Sequence, residues 1–179
     1  MKIAICYAST EGQTRKIARF CAAALIDQGH SVEVIAASDA NDMPFASFDA
    51  AILAGSVHLG HVQSALATVA TSHAAVLNAR PTLFLQVSLA VVGDDAEDRA
   101  EIDRIAQAFC EKTGWQPGEI HQIAGAFRFS EYDFFRSWAM RWVAAQKGQK
   151  VDPHGDTEYT DWDGLRHLME RWPEDRTHG

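Results

Sequence analysis

Short apolar runs alternate along the chain with segments in which apolar residues recur every three or four positions. The short runs predict β-strands, and the periodic segments predict helices with one buried face. The predicted strands cover residues 2–7, 31–36, 50–54, 82–87 and 119–127. The predicted helices include one that stops at Gly29, one over Ser64–Asn78, one that ends at Gly114 and a last one with Thr160 as its N-cap.

This alternation predicts an α/β fold, with an open parallel sheet and helices on both of its faces. At 179 residues the chain fits a single domain, residues 1–179. Ligands of such sheets bind at the edge formed by the carboxyl ends of the strands. Three loops follow strands at that edge, at residues 9–14, 55–62 and 88–98, and we expect them to converge on one site.

The loop after the first strand has the sequence S-T-E-G-Q-T and opens a helix. Backbone N–H groups, hydroxyls and the positive end of the helix dipole favour a bound phosphate there. The sequence has neither the G-x-x-x-x-G-K-[ST] pattern of a P-loop nor the G-x-G-x-x-G pattern of a dinucleotide site. The loop therefore favours a mononucleotide, with FMN first among them. An ordinary strand-to-helix turn with hydroxyl caps remains the alternative.

The composition argues against several classes of protein. A net charge of −8 argues against general nucleic-acid binding. Cys6, Cys21 and Cys110 form no C-x-x-C pair, and we expect buried thiols in a reducing compartment. The first residues lack the pattern of a signal peptide and no long apolar run follows them, which predicts a cytoplasmic protein that does not span a membrane.

Residues 128–159 separate the fifth predicted strand from the last helix, and an ordinary connection is much shorter. The first half of this insertion is rich in aromatic residues. On a helix, Trp138 and Trp142 would share an apolar face flanked by Arg136 and Arg141. Four interpretations stay open: extra core, a wall of a substrate site, peripheral contact with the cytoplasmic face of the inner membrane, or a homo-oligomer interface.

Four motifs together resemble the flavodoxin-like fold and, more closely, the menaquinone-dependent protoporphyrinogen IX dehydrogenases, the HemG family. They are S-T-E-G-Q-T at 9–14, G-S-V-H-L-G-H at 55–61, A-G-A-F-R-F at 124–129 and Y-T-D-W at 159–162. The resemblance implies a five-stranded parallel sheet of order 2-1-3-4-5 and non-covalently bound FMN. It also implies oxidation of protoporphyrinogen IX to protoporphyrin IX in haem biosynthesis, with menaquinone or another membrane quinone as electron acceptor.

The resemblance assigns the three loops to the flavin. The expected cofactor-binding residues are Ser9, Thr10, Glu11, Gly12, Gln13, Thr14, Gly55, Ser56, Val57, His58, Leu59, Gly60, His61, Ser88, Leu89 and Ala90. His61 is the candidate catalytic residue, because an imidazole there could hydrogen-bond to the ring or help move a proton. His58 and His61 also have H-x-x-H spacing, but this loop holds no third metal ligand, so we expect no metal. Two solvated histidines are the alternative.

The remaining candidates concern the substrate and the membrane. Arg128, at the end of the fifth predicted strand, is expected to meet a substrate propionate or a lipid phosphate, with a surface salt bridge as the alternative. Arg136, Trp138, Arg141 and Trp142 are the other candidates for this role. A non-enzymatic flavodoxin-type electron carrier is the rival function. The aromatic insertion favours the enzyme, whereas acidic residues in the third loop favour the carrier, since they suit docking to basic redox proteins.

Overall fold

A parallel sheet with one short antiparallel addition forms the centre of the structure. The computed structural model describes residues 1–89, 96–127 and 157–173. In chain order the strands of this sheet are β1 (Lys2–Ala8), β2 (Ser31–Ala36), β3 (Ala50–His58), β4 (His61–Val62), β5 (Thr82–Ser88) and β6 (Glu119–Ala124). The parallel strands lie in the order β2-β1-β3-β5-β6, and β4 pairs with β3. The predicted order 2-1-3-4-5 is confirmed, because β5 and β6 are the fourth and fifth predicted strands.

Helices cover both faces of the sheet, as predicted. In the described part of the chain they are α1 (Gln13–Asp27), α2 (Ser64–Asn78), α3 (Ala96–Thr113) and α4 (Trp162–Arg171). One apolar core lies between the sheet and α1 with α4, and a second lies between the sheet and α2 with α3. Successive residues of β1 point into different cores. Ile5 packs in the core with α1 and α4, and Cys6 packs in the core with α2 and α3. None of the helices described here is long and apolar enough to cross a membrane.

The prediction of one strand over residues 119–127 is wrong at its end. β6 stops at Ala124, and Ala126–Phe127 forms β7, which belongs to a separate two-stranded sheet. Gly125 lies at the break. Its N–H donates to the carbonyl of Ser88 at 3.2 Å, and its own carbonyl accepts from the N–H of Tyr159 at 3.1 Å. The chain therefore leaves the main sheet here to pair with the segment that precedes α4.

The predicted N-cap of the last helix, Thr160, is also wrong, by one residue. α4 begins at Trp162, and its cap is Asp161, whose carboxylate accepts from the N–H of Gly164 at 2.9 Å. Both residue types cap helices well, so the local sequence does not decide between them. The hydroxyl of Thr160 instead donates to the carbonyl of Ala124 at 2.7 Å, which holds it against the end of β6.

A short two-stranded sheet lies at the base of the insertion. β7 (Ala126–Phe127) pairs antiparallel with β8 (Thr157–Glu158), and we call this pair the stem. Residues 128–156 between the two strands lie outside the described residues, as does Ala90 of the third loop. The roles predicted for Arg128, Arg136, Trp138, Arg141 and Trp142 fall on that segment and stay predictions.

The cysteines lie in the interior, as predicted, although Cys110 is only half-buried. Burial raises the pKa of Cys6 to about 12 and, against a weaker opposing backbone hydrogen bond, that of Cys21 to about 12. Burial and the nearby Glu111 carboxylate raise the pKa of Cys110 to about 11. All three thiols therefore stay protonated at neutral pH and are poor nucleophiles.

Candidate functional site

The loop between β1 and α1 is held in shape by its own side chains. Gly12 has φ of 87°, a left-handed conformation that glycine adopts without steric cost. Its N–H donates to the hydroxyl of Ser9 at 2.9 Å. The first helical hydrogen bond runs from the N–H of Lys16 to the carbonyl of Gly12, and no side chain caps the helix. The N–H groups of residues 13–15 therefore point towards the loop as donors for a ligand.

Thr14 provides the clearest sign of a missing partner. Its side chain is 1% exposed, and its hydroxyl has no hydrogen-bond partner among the described residues. A buried hydroxyl without a partner costs about 1–3 kcal/mol, so such groups are rare. The Thr14 hydroxyl lies in the first turn of α1, where a bound phosphate would meet the N–H groups. A phosphate oxygen would satisfy it, which fits the chemistry predicted for this loop.

A cleft of about 430 Å³ opens at this loop. Its walls come from residues 7–12, the end of β2 and the start of α2. Arg15, Ser38 and Gln63 contribute polar side chains to the lining. The expected residues Ser9, Thr10, Glu11 and Gly12 all line it, whereas the buried Thr14 does not.

The second predicted loop is a tight hairpin. His58 pairs with His61, so Leu59 and Gly60 are the two turn residues, with φ of 50° and 78°. Positive φ at both positions defines a type I′ turn, which is common in two-residue hairpins. The side chain of Leu59 is 78% exposed. A positive φ also strains a leucine, so this residue is unfavourable here in two ways. His61, the candidate catalytic residue, is exposed beside it, and its catalytic role stays a prediction.

Gly55, expected at the flavin, has a packing role within β3. A Cβ at this position would lie 2.7 Å from Cδ2 of Leu66 and 2.9 Å from Cγ1 of Val62. Both distances are too short for real contacts, so any larger residue would force the side chains of Leu66 and Val62 to shift. Packing within the protein is therefore enough to explain a glycine at this position, whether or not a ligand contacts it. Contact between its backbone and the flavin stays a prediction.

The three loops meet at the carboxyl edge of the sheet. In the strand register Ala8 lies opposite Gly55, and Ser56 lies opposite Val87. Val57 follows Ser56 at this edge, and Ser88 and Leu89 end the described part of the third loop. Their predicted contacts with the flavin stay predictions.

Gln63 connects the first two loops and was missed by the sequence analysis. Its amide donates to the hydroxyl of Thr10 at 2.6 Å and to that of Ser56 at 2.7 Å. Both hydroxyls are thereby oriented, and each keeps its own proton for a further acceptor. A glutamine just before a helix carries no sequence signal for this role.

The side chain of Gln13 turns away from the cleft, towards the stem. Its amide donates to Glu158 at 3.0 Å and to the hydroxyl of Thr160 at 2.9 Å. Lys16 forms an ion pair with Glu158 at 2.6 Å. Desolvation acts to raise the pKa of Glu158, but the hydrogen bonds from Lys16 and Gln13 outweigh it, so that pKa lies below its usual value. The stem is thus fixed to the first turn of α1. Because the side chain of Gln13 is used in this contact, Gln13 can contribute only its backbone N–H to ligand binding.

Comparisons with known proteins cover most of the chain. Residues 4–154 match the sequence family described as the flavodoxin domain. The protoporphyrinogen IX dehydrogenase (quinone) of Escherichia coli strain K12 is 28% identical over 164 residues, which cover 91% of this chain and 90% of that protein.

Solved structures agree with this family match. A flavodoxin from Streptococcus pneumoniae TIGR4 has a TM-score of 0.59 at 18% identity, covering 98% of this chain and 99% of that one. Flavodoxin 2 from Bacillus cereus, in its oxidised form, has a TM-score of 0.53 at 18% identity, covering 70% and 85%. At such identities the likeness concerns the fold, and it confirms the flavodoxin-like arrangement predicted from the sequence.

Proposed function

Because this chain belongs to the flavodoxin domain family and is an FMN-dependent oxidoreductase, we propose that it oxidises protoporphyrinogen IX to protoporphyrin IX and passes the electrons to a quinone in haem biosynthesis. Family membership confirms the predicted cofactor. The substrate and the acceptor are proposed from the Escherichia coli relative, whose similarity extends over nearly all of both chains.

The stem is the structural observation that favours an enzyme over an electron carrier. Besides the three loops assigned to the flavin, this chain pairs the two strands at the ends of a long insertion with each other. One of them, β8, is attached to Gln13 and Lys16 in the first turn of α1 through Glu158. That turn continues the loop at residues 9–14, which we call the phosphate loop. The insertion therefore begins and ends at a strand pair that is attached to the helix after this loop, and we propose that it contributes to a substrate site next to the flavin.

Within this proposal, the described residues bind and position the cofactor. The hydroxyls of Thr10 and Thr14 and the N–H groups at the start of α1 would hold the phosphate, and the Leu59 hairpin would contact the ring. FMN supplies the redox chemistry when it is bound, taking up two electrons in each round. Full oxidation of the porphyrinogen removes six electrons, so the acceptor must return between rounds. An exposed hairpin at the site, such as that of Leu59 and His61, suits such repeated access.

The insertion is assigned to the substrate and to the membrane in this proposal. Arg128, Arg136 and Arg141 would pair with propionates or lipid phosphates, and Trp138 and Trp142 would lie at the headgroup boundary. A quinone dissolved in the bilayer is reached most directly by a protein that contacts its surface. Peripheral contact with the membrane therefore belongs to the same proposal.

The test is an anaerobic half-reaction with the FMN-loaded protein. We expect protoporphyrinogen IX to bleach the visible absorbance of the bound flavin, and a menaquinone analogue to restore it. The control is the same mixture with free FMN, which corrects for the uncatalysed reaction. If the bound flavin is not reduced by porphyrinogen but exchanges electrons readily with a basic redox protein, the chain is an electron carrier and the proposed function is wrong.

A second prediction concerns the exposed leucine of the hairpin. Replacing Leu59 with tyrosine should tighten FMN binding by about 2- to 12-fold, because an aromatic ring stacked on a flavin contributes about 0.5–1.5 kcal/mol more than an aliphatic contact. The measurement is quenching of FMN fluorescence on titration with apoprotein. Leu59→Asn is the control: asparagine suits the left-handed turn, so it should raise the melting temperature of the apoprotein without tightening FMN binding. Equal affinities in Leu59→Tyr and the wild type would show that this hairpin tip does not contact the ring.

A further inference from the structure

The phosphate loop itself supplies only neutral donors, namely hydroxyls and backbone N–H groups. A phosphate monoester carries a charge of about −1.5 to −2 at neutral pH. Glu11, which also lines the cleft, offers no positive charge either. A compensating cation close to the loop would therefore matter for affinity.

Two cations follow the loop, and the structure separates their roles. Lys16 contacts Glu158 at 2.6 Å on the side of the stem, so its charge is already paired. Arg15 lies on the side of the cleft and contributes to its lining. Its guanidinium makes no hydrogen bond or ion pair within the described residues, and its side chain is exposed.

Arg15 folds back over the loop and does not extend along the helix. Its Nη2 atom lies 4.0 Å from the position that a Cβ on Gly12 would occupy. Helical side chains lean towards the N-terminus of their helix, which explains this direction. The guanidinium thus lies close to Gly12, whose carbonyl accepts the first helical hydrogen bond.

We propose that Arg15 is a phosphate-binding residue, which closes over the terminal phosphate of riboflavin 5′-phosphate and supplies the positive charge that the loop lacks. This inference rests on the cofactor of the proposed function, not on its substrate. A guanidinium offers two parallel N–H donors to two phosphate oxygens, which an ammonium group cannot do. The N–H groups of α1 and the Thr14 hydroxyl would hold the phosphate from below, and Arg15 would cover it from the solvent side.

The experiment compares two flavins that differ only in the phosphate. Apoprotein of the wild type, Arg15→Gln, Arg15→Lys and Arg19→Gln is titrated with FMN and with riboflavin, and flavin fluorescence gives each dissociation constant. We expect Arg15→Gln to weaken FMN binding by about 10- to 100-fold and to leave riboflavin binding within about twofold. Arg15→Lys should lie in between. Arg19→Gln removes the same charge from an exposed position one turn further along α1 and should change neither constant.

Other outcomes separate the inference from the proposals on which it rests. If Arg15→Gln weakens both flavins equally, or neither, Arg15 does not bind the phosphate. Wild-type apoprotein that binds no FMN would overturn the cofactor itself. Failure of porphyrinogen to reduce the flavin would leave the Arg15 result intact.

Discussion

Replacing residues 128–156 with the dipeptide Asn-Gly should abolish porphyrinogen oxidation and leave FMN binding nearly unchanged. Phe127 lies opposite Thr157 in the antiparallel stem, so a two-residue type I′ turn can join them directly. The contacts of Gln13 and Lys16 with Glu158 lie outside the deleted segment and should persist. We expect kcat/KM for protoporphyrinogen IX to fall by more than about 100-fold, because remote binding contacts of a substrate contribute strongly to catalysis. The FMN dissociation constant should change by less than about threefold.

The control for this deletion keeps the insertion and loosens only its attachment. Glu158→Gln removes the ion pair with Lys16 but leaves all other residues in place, so turnover should fall far less than in the deletion. Full turnover by the deleted protein, assayed with a quinone dispersed in lipid, would contradict a role of the insertion in substrate access. A deleted protein that does not fold would favour the alternative that the insertion is extra core.

Thr14→Val should weaken FMN binding and stabilise the apoprotein at the same time. Valine has nearly the shape of threonine, so it keeps the packing and removes a buried hydroxyl that has no partner among the described residues. The apoprotein should gain about 1 kcal/mol of unfolding free energy, since the cost of burying that hydroxyl disappears. FMN should bind about 5- to 150-fold more weakly, because a hydrogen bond to a charged group contributes about 1–3 kcal/mol. Urea denaturation and fluorescence titration measure the two effects.

Thr113 provides a matched control within the same chain. It is also a buried threonine, but its hydroxyl already donates to the carbonyl of Phe109 at 2.8 Å. Thr113→Val should therefore destabilise the apoprotein by about 1 kcal/mol and leave FMN affinity unchanged. If Thr14→Val instead destabilises the apoprotein and binds FMN normally, its hydroxyl has no ligand, and the loop is the ordinary turn that the sequence leaves open.

The parts of this fold that follow from periodicity were predicted well, and those that depend on distant partners were not. α2 occupies Ser64–Asn78 as predicted, because its apolar spacing is a local property of the sequence. The phosphate site at residues 9–14 was likewise predicted from a local property, the residue types of the loop. The N-cap at Asp161 and the break at Gly125 depend on contacts with Ala124, Ser88 and Tyr159, which no local pattern reports.

The same distinction applies to the site. The sequence gives no reason to separate Arg15 from Lys16, because both follow the phosphate loop on α1. Only the position of Glu158, far along the chain, assigns Lys16 to the stem and leaves Arg15 at the cleft. The role of Gln63 also depends on distant residues, since its two acceptors, Thr10 and Ser56, come from different loops. Positive φ at Leu59 could have been suspected from the following glycine, but leucine itself argues against it.

The stem also bears on how this chain can change its length. Its two strands bring the ends of the intervening segment together at adjacent positions of a ladder, where Phe127 faces Thr157. Closing a loop whose ends are already held costs entropy that grows only with the logarithm of its length, about 0.6 kcal/mol for each doubling. A segment could therefore be lengthened, shortened or exchanged at this point while the register of the main sheet stays as it is. The stem makes this edge a natural acceptor for grafted substrate-binding segments, so that new flavin enzymes could be built on one unchanged cofactor scaffold.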